Sequence, residues 1–488
     1  MEKVKKESLI KYAVLGSFCI LTLVLALFRA PFWDEAHAWM VSKSFGFFQL
    51  FFNIEKHEGH LFLWHLILMP FSKNNVFYPY SMILLNWIFC VFALVVFWNK
   101  APFSVLEKSL ITFSYPFVWY FGIVARCYSI GILFLFLILS FWKERLKRPY
   151  LISLLIILLA NTSAMALVGA FSLGLIFLFD LIKERDYKKI VYSILILGFG
   201  AISVFVQLWG ARFPGVSPLD MTFVFIQNVI HYFFSYYKKD PLFVVIIDKL
   251  ISLTVIASYI SSIFYFARDK NKKAFFFFVS ANLLLTFIFL FKYAGNWWHY
   301  LFFFVYFISA IWLYRLYGDK TKTDKFFKII FLALLMLFCT KTLIFKVNAA
   351  SFIYDSKSGE IARIIKKENL INNDTILYAL DDYHQRAIEI NPYFKDLKVY
   401  TQFGCEKYTK EGYLYNLIPY ATGNKNLVDY FANSIDESKN NKGIMKEVKY
   451  VPFKSKGIKY TLIYEPLYIN RNPDFTIFKI EKIKNGEG

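Results

Sequence analysis

The stretch MEKVKKESLIKYAVLGSFCILTLVLALFRAPFWDEAHAW, residues 1–39, decides the fold class. Behind a basic start, residues 9–28 form an apolar run. At about 1.5 Å per residue such a run covers the ~30 Å hydrocarbon core of a bilayer, and it is longer than the core of a signal peptide. The segment is therefore expected to stay as a membrane anchor. Pro31 cannot continue a helix, so the chain should leave it at the membrane surface and hold the adjacent carboxylates Asp34 and Glu35 close to that surface.

The remainder of the chain has the same character. Of its 488 residues 57% are hydrophobic and 21% aromatic, with 57 Phe and 33 Tyr against 21 Gly and 14 Pro, so the apolar mass sits in long aromatic helices. A mean hydropathy of +0.45 is far from the roughly half-apolar make-up of a soluble domain. The formal charge of +21 does not signal a nucleic-acid partner, because Lys and Arg cluster in short runs between apolar stretches. That is the pattern which orients a membrane protein. Five cysteines (Cys19, Cys90, Cys127, Cys339 and Cys405) include no CxxC pair, which excludes a disulfide framework and a cysteine metal site.

Basic runs occur at the N-terminus and at 99–108, 143–148 (KERLKR), 183–189 (KERDYKK), 268–273 (RDKNKK) and 318–328. Placing all of them in the cytoplasm requires an even number of crossings between successive runs. The expected spans are 9–28, 77–98, 109–125, 127–142, 150–164, 166–182, 190–209, 242–267, 274–292, 298–316 and 327–346. The expected fold is thus a polytopic α-helical membrane protein of about eleven transmembrane helices in the cell (plasma) membrane, N-terminus in and C-terminus out. Residues 60–71 are too few to span and, by parity, should lie in the outer interface, as should 221–237. The stretch 150–180 is read as a hairpin of two arms about 24 Å long, broken by the polar residues Asn161, Thr162 and Ser163.

Residues 1–346 form the membrane region, with 30–76 as its first outer loop; 347–488 turn polar and rich in Lys and Asn. This tail reads as a separate soluble α/β domain outside the cytoplasm. It should have a helix at 359–367, strands TILYAL, KVYTQF, KYTLIYE and FTIFKI, and a helical stretch after Asp381. No Gly-rich phosphate loop follows TILYAL, so no nucleotide site is expected there.

The first outer loop concentrates the unusual residues: PFWDEAHAW, then EKHEGH at 55–60. Ionisable groups at a membrane face are costly unless used. Asp34 is the candidate general base, placed where a lipid-borne phosphate would lie; Asp34 and Glu35 equally suit the first turn of a helix. His57, Glu58 and His60 offer acceptor-binding or structural groups. His57 and His60 could also join Asp34 or Glu35 around a divalent metal, an optional cofactor, although histidines three apart often just hydrogen-bond locally. Gly59 suggests a tight turn. Arg126 and Tyr128, in a short outer turn, and Lys292 and His299, in KYAGNWWHY, are candidate donors to a departing phosphate. Trp297 and Trp298 in the same segment suit an interfacial aromatic belt, and Lys292 could snorkel.

In its order of parts the chain resembles the polytopic GT-C glycosyltransferases, especially bacterial members related to protein O-mannosyltransferases and aminoarabinose transferases. A first helix is followed by a loop that opens with Asp34 and Glu35 in FWDEAHAW. EGH at 58–60 and a short interfacial segment, LFLWHLILMPF, come next; many relatives carry proline after this His. An Arg-x-x-Tyr-type element starts a later helix, here ARCYSI with Arg126 and Tyr128, and a late outer loop carries a His, here His299. The resemblance implies that Asp34 is the catalytic base and that Glu35 assists it or binds acceptor or metal. It also implies that Arg126, Lys292 and His299 hold the phosphate of a polyprenyl-phosphate sugar donor.

The expectation is an inverting glycosyltransferase of the cell envelope that passes a sugar from such a lipid to an unidentified extracytoplasmic acceptor and requires no cofactor. The alternative is a multi-pass transporter or lipid flippase. No inverted repeat is visible in the sequence, and the charges crowd one face rather than the midplane.

Overall fold

The computed structural model describes residues 2–53, 59–209, 242–267, 272–292, 295, 298–317, 324–344, 358–367, 376–380, 391–393, 399–401, 404–405, 407–409, 412–414, 458–464 and 476–482. The chain divides into two compact units. The first comprises 1–28, 50–67 and 82–351; the second comprises 29–49, 68–81 and 352–488.

The chain is mainly helical. Its helices are α1 (Glu2–Leu27), α2 (Trp33–Ser44), α3 (Phe47–Asn53), α4 (Phe62–Lys73), α5 (Tyr80–Lys100), α6 (Val105–Thr112), α7 (Tyr128–Ser140) and α8 (Pro149–Ala160). They continue with α9 (Ala164–Glu184), α10 (Tyr187–Leu208), α11 (Leu242–Ala267), α12 (Lys273–Phe291), α13 (Leu301–Tyr317), α14 (Asp324–Ile344) and α15 (Ser358–Lys367). Among the described residues six helical segments are long and apolar enough to cross a membrane: 6–27, 80–100, 164–184, 187–208, 249–267 and 273–291. Large apolar side chains on their outer faces, such as Ile20, Leu195, Phe199, Ile202, Leu253, Phe264 and Leu283, are exposed. Water would disfavour so much open apolar surface, and lipid accommodates it. This is a helical membrane protein's architecture.

Expected span 327–346 is covered by the 21-residue helix α14, whereas several of the others are shorter or broken. Helices α7 and α8 have 13 and 12 residues, about 20 Å or less at 1.5 Å per residue, short of the ~30 Å core. The continuous helix expected over 109–125 is not formed. Helix α6 stops at Thr112 and is followed by a π-helical turn, Pro116–Phe121. Pro116 has no N–H to give to the preceding turn, and Gly122 N–H bonds Phe117 C=O at 2.9 Å, five residues back. The freed Phe121 carbonyl instead accepts from Asn86 Nδ2 (3.0 Å) and Ser129 Oγ (2.7 Å), which satisfies a backbone group that lipid could not.

The break at 161–163 is present. Helix α8 ends at Ala160, and Ser163 caps α9 by accepting from the Ala166 N–H at 3.1 Å. The interfacial segment expected at 60–71 is helical as α4. Residues 221–237, and the helical stretch expected after Asp381, lie outside the described residues.

In the second unit, the described strands β1 (Ile376–Leu380), β2 (Val399–Thr401), β3 (Gly404–Cys405), β6 (Ile458–Tyr464) and β7 (Thr476–Lys482) make one sheet in the order β3-β2-β1-β7-β6. β1 is parallel to β2 and antiparallel to β7, with Tyr378 opposite Phe478. β4 (Lys407–Thr409) and β5 (Gly412–Leu414) pair separately.

Candidate functional site

The candidate residues fall in both units, and each group is built locally. In the first unit the centre is Arg126, in the irregular turn that leads into α7. It is 4% exposed. Its guanidinium bonds the Nε2 of His60, while His60 Nδ1 lies 3.2 Å from Cys127 Sγ. A guanidinium carries donors only, so Nε2 must accept. The proton of a neutral His60 then sits on Nδ1 and points at the Cys127 sulfur.

Aromatic rings enclose this pair. Tyr128 packs edge-on against His60 at 5.7 Å and against His299 at 5.9 Å. The π-helical turn brings Tyr120 to 5.7 Å from Tyr128 and stacks it on Trp298 at 6.3 Å. His299 is fully enclosed. Its ring is buried beside Tyr128 and Trp298. Trp298 is buried against Tyr120 and His299 instead of lying in an interfacial belt.

His60 is held from the other side by main chain. Gly59 adopts φ +68°, a turn conformation that glycine takes without strain. His60 pairs with Ser163 as an isolated β-bridge, with Ala164 N–H donating to Gly59 C=O at 2.8 Å.

In the second unit Asp34 and Glu35 occupy the first turn of α2 and are buried, Glu35 completely. Glu35 differs from expectation. Its carboxylate forms a two-pronged ion pair with Arg29 and accepts the Phe32 N–H at 3.1 Å. The N-cap is Phe32, which has no side-chain acceptor, so only the carboxylate half of a capping box exists. Glu35 therefore fixes the start of α2, and with it the backbone of Asp34. Trp33 stacks on His37 one turn later, at 5.7 Å. Further along α2, Trp39 meets Tyr78 at 5.0 Å, and Tyr78 meets Tyr393 at 4.9 Å.

Lys292 is exposed just past the end of α12. His57 and Glu58 lie outside the described residues, and no group of three His, Cys, Asp or Glu side chains among the described residues is placed to hold a metal ion. Sequence reasoning missed Arg29, Cys127 and Tyr120. Only Cys127 had a local signal, its place between Arg126 and Tyr128; Arg29 and Tyr120 are recruited by the folding of the turns that carry them. Comparison of the chain with protein-family models and with curated proteins gives no match.

Proposed function

We propose that this chain is a membrane glycosyltransferase that moves a sugar from a polyprenyl-phosphate donor to an acceptor hydroxyl on the extracytoplasmic side, with inversion. The observation that carries the reading is the buried Arg126, bonded to His60 and followed by Tyr128, whose ring meets both His60 and His299. A leaving phosphate gains negative charge as the sugar departs, and fixed N–H donors in a water-poor pocket stabilise that charge more than the ground state.

In this reading Asp34 takes the proton of the acceptor hydroxyl. The hydroxyl oxygen then bonds the anomeric carbon, the bond from that carbon to the phosphate oxygen breaks, and the lipid phosphate leaves with the electron pair. Arg29 and Glu35 hold Asp34's helix turn. Arg126 binds the phosphate, Tyr128 and His299 wall its pocket, and Lys292 meets lipid headgroups. His57 and Glu58 remain acceptor-side candidates in the same loop. The proposed topology is eleven crossings with the N-terminus cytoplasmic, and residues 347–488 as an α/β domain outside.

The test has two arms. Cells lacking the protein should accumulate one polyprenyl-phosphate sugar and lose one envelope glycan. Asp34→Asn should abolish turnover, by at least about a hundredfold for a general base, while lipid binding persists. A flippase would keep its rate in Asp34→Asn, and that result rejects the transferase reading.

A further inference from the structure

A polar cluster inside the helical unit has no part in the chemistry above. Asn161, Ser203 and Gln207 are each more than nine-tenths buried among apolar helices, where polar side chains are costly unless their bonds are used. They use them on one another: Ser203 Oγ and Gln207 Nε2 both donate to Asn161 Oδ1 at 2.8 Å, and Gln207 Nε2 also reaches Ser203 Oγ at 3.0 Å. The remaining acceptor, Gln207 Oε1, takes the N–H of Phe62 at 2.8 Å. Phe62 opens α4, so its N–H has no partner within that helix, and the residue that satisfies it comes from α10, 145 positions away. The main chain of the same turn completes the grip: Asn161 C=O accepts from Leu63 N–H and Thr162 C=O from Leu61 N–H, each at 3.4 Å.

We propose that Asn161, Ser203 and Gln207 are positioning residues: a latch that fixes the 59–63 segment, and so sets His60 where it orients Arg126 for an anionic lipid phosphate. Apolar side chains would pack α8 against α10 equally well, but they could not accept the Phe62 N–H. The latch thus acts on Arg126 only through His60. This inference rests on Arg126 being the phosphate donor.

The test uses the full chain in lipid nanodiscs and a polyprenyl monophosphate as probe. Gln207→Leu keeps the size of the side chain and should weaken binding about tenfold, roughly the effect of one lost buried hydrogen bond, without loss of the folded, monodisperse protein. His60→Gln should weaken it at least as much. Because the latch works through His60, the double variant should bind no worse than His60→Gln alone. Wild-type affinity in Gln207→Leu, or effects that multiply in the double variant, would overturn the proposal. If Gln207→Leu fails to fold, Ser203→Ala, which removes one donor to Asn161, takes its place in the same cycle. Should Arg126→Gln bind the probe as well as wild type, the phosphate reading itself fails. The latch is then decided by the imidazole nitrogen resonances of His60: a shift in Gln207→Leu supports it, and unchanged resonances reject it.

Discussion

At the C-terminal end of α7, Arg145 meets Asp180 at 2.7 Å, Lys273 reaches the same carboxylate at 2.7 Å, and Tyr317 accepts from Arg145 at 2.6 Å. Close by in sequence, Arg315 forks onto Glu107 at 2.8 and 2.9 Å, with Ser104 capping the start of α6 on the same carboxylate. At the N-terminal end of α7, Arg126 meets an imidazole. The first end closes its charges into ion pairs and a hydrogen bond that tie the turn after α7 to α9, α12 and α13. At the other end a buried cation is bonded to an imidazole and lies next to aromatic rings, a geometry that suits recognition of an anion. The same helices thus carry a fastening at one end and a candidate binding group at the other.

The comparison can be broken most forcefully at the fastening. Asp180→Asn leaves Arg145 and Lys273 together without their shared counter-charge, and should cost about 3–5 kcal/mol of stability. Thermal unfolding in detergent would show it, and an unchanged melting point would mean that the ion pairs are idle. Arg126→Gln should do the reverse: transfer falls about a hundredfold, near 2.7 kcal/mol, while the melting point hardly moves.

The smallest effect belongs to Glu107. Burial raises its pKa, but the hydrogen bonds and charge of Arg315, with Ser104, outweigh that and leave it below the ordinary carboxylate value. Its contribution is present above that value and lost as pH drops through the lowered one. Glu107→Gln should cost about 1 kcal/mol at neutral pH, as a partly exposed pair does, and should reduce the acid loss of stability.

Particular residues show how much was readable in the chain. Asn161, Thr162 and Ser163 announced the break between α8 and α9 because three polar residues cannot continue an apolar arm. Gly59 announced its turn, and Arg126 stood out as a cation in a short turn. Arg145, Lys273 and Tyr317 come from, or border, basic runs that parity placed on one side; the structure gathers them around Asp180 at one helix end. What escaped had no local signature. Pro116 warned of irregularity, but not that the turn would become π-helical and carry Tyr120 to Tyr128 and Trp298. Nothing in the chain around Glu35 announced its ion pair with Arg29, and nothing around Trp298 announced that its ring is buried.

By itself, the sequence determined which segments prefer lipid, where polar residues interrupt them and where the basic runs lie between them. Those properties depend on length, hydropathy and charge over neighbouring residues, and need no knowledge of the packing. Only the tertiary structure decided which acid is spent in an ion pair, which histidine faces Arg126 and which glutamine closes the N-terminus of a helix 145 positions earlier. Those assignments depend on matching donors to acceptors across helices distant in the chain, and no local pattern carries that information.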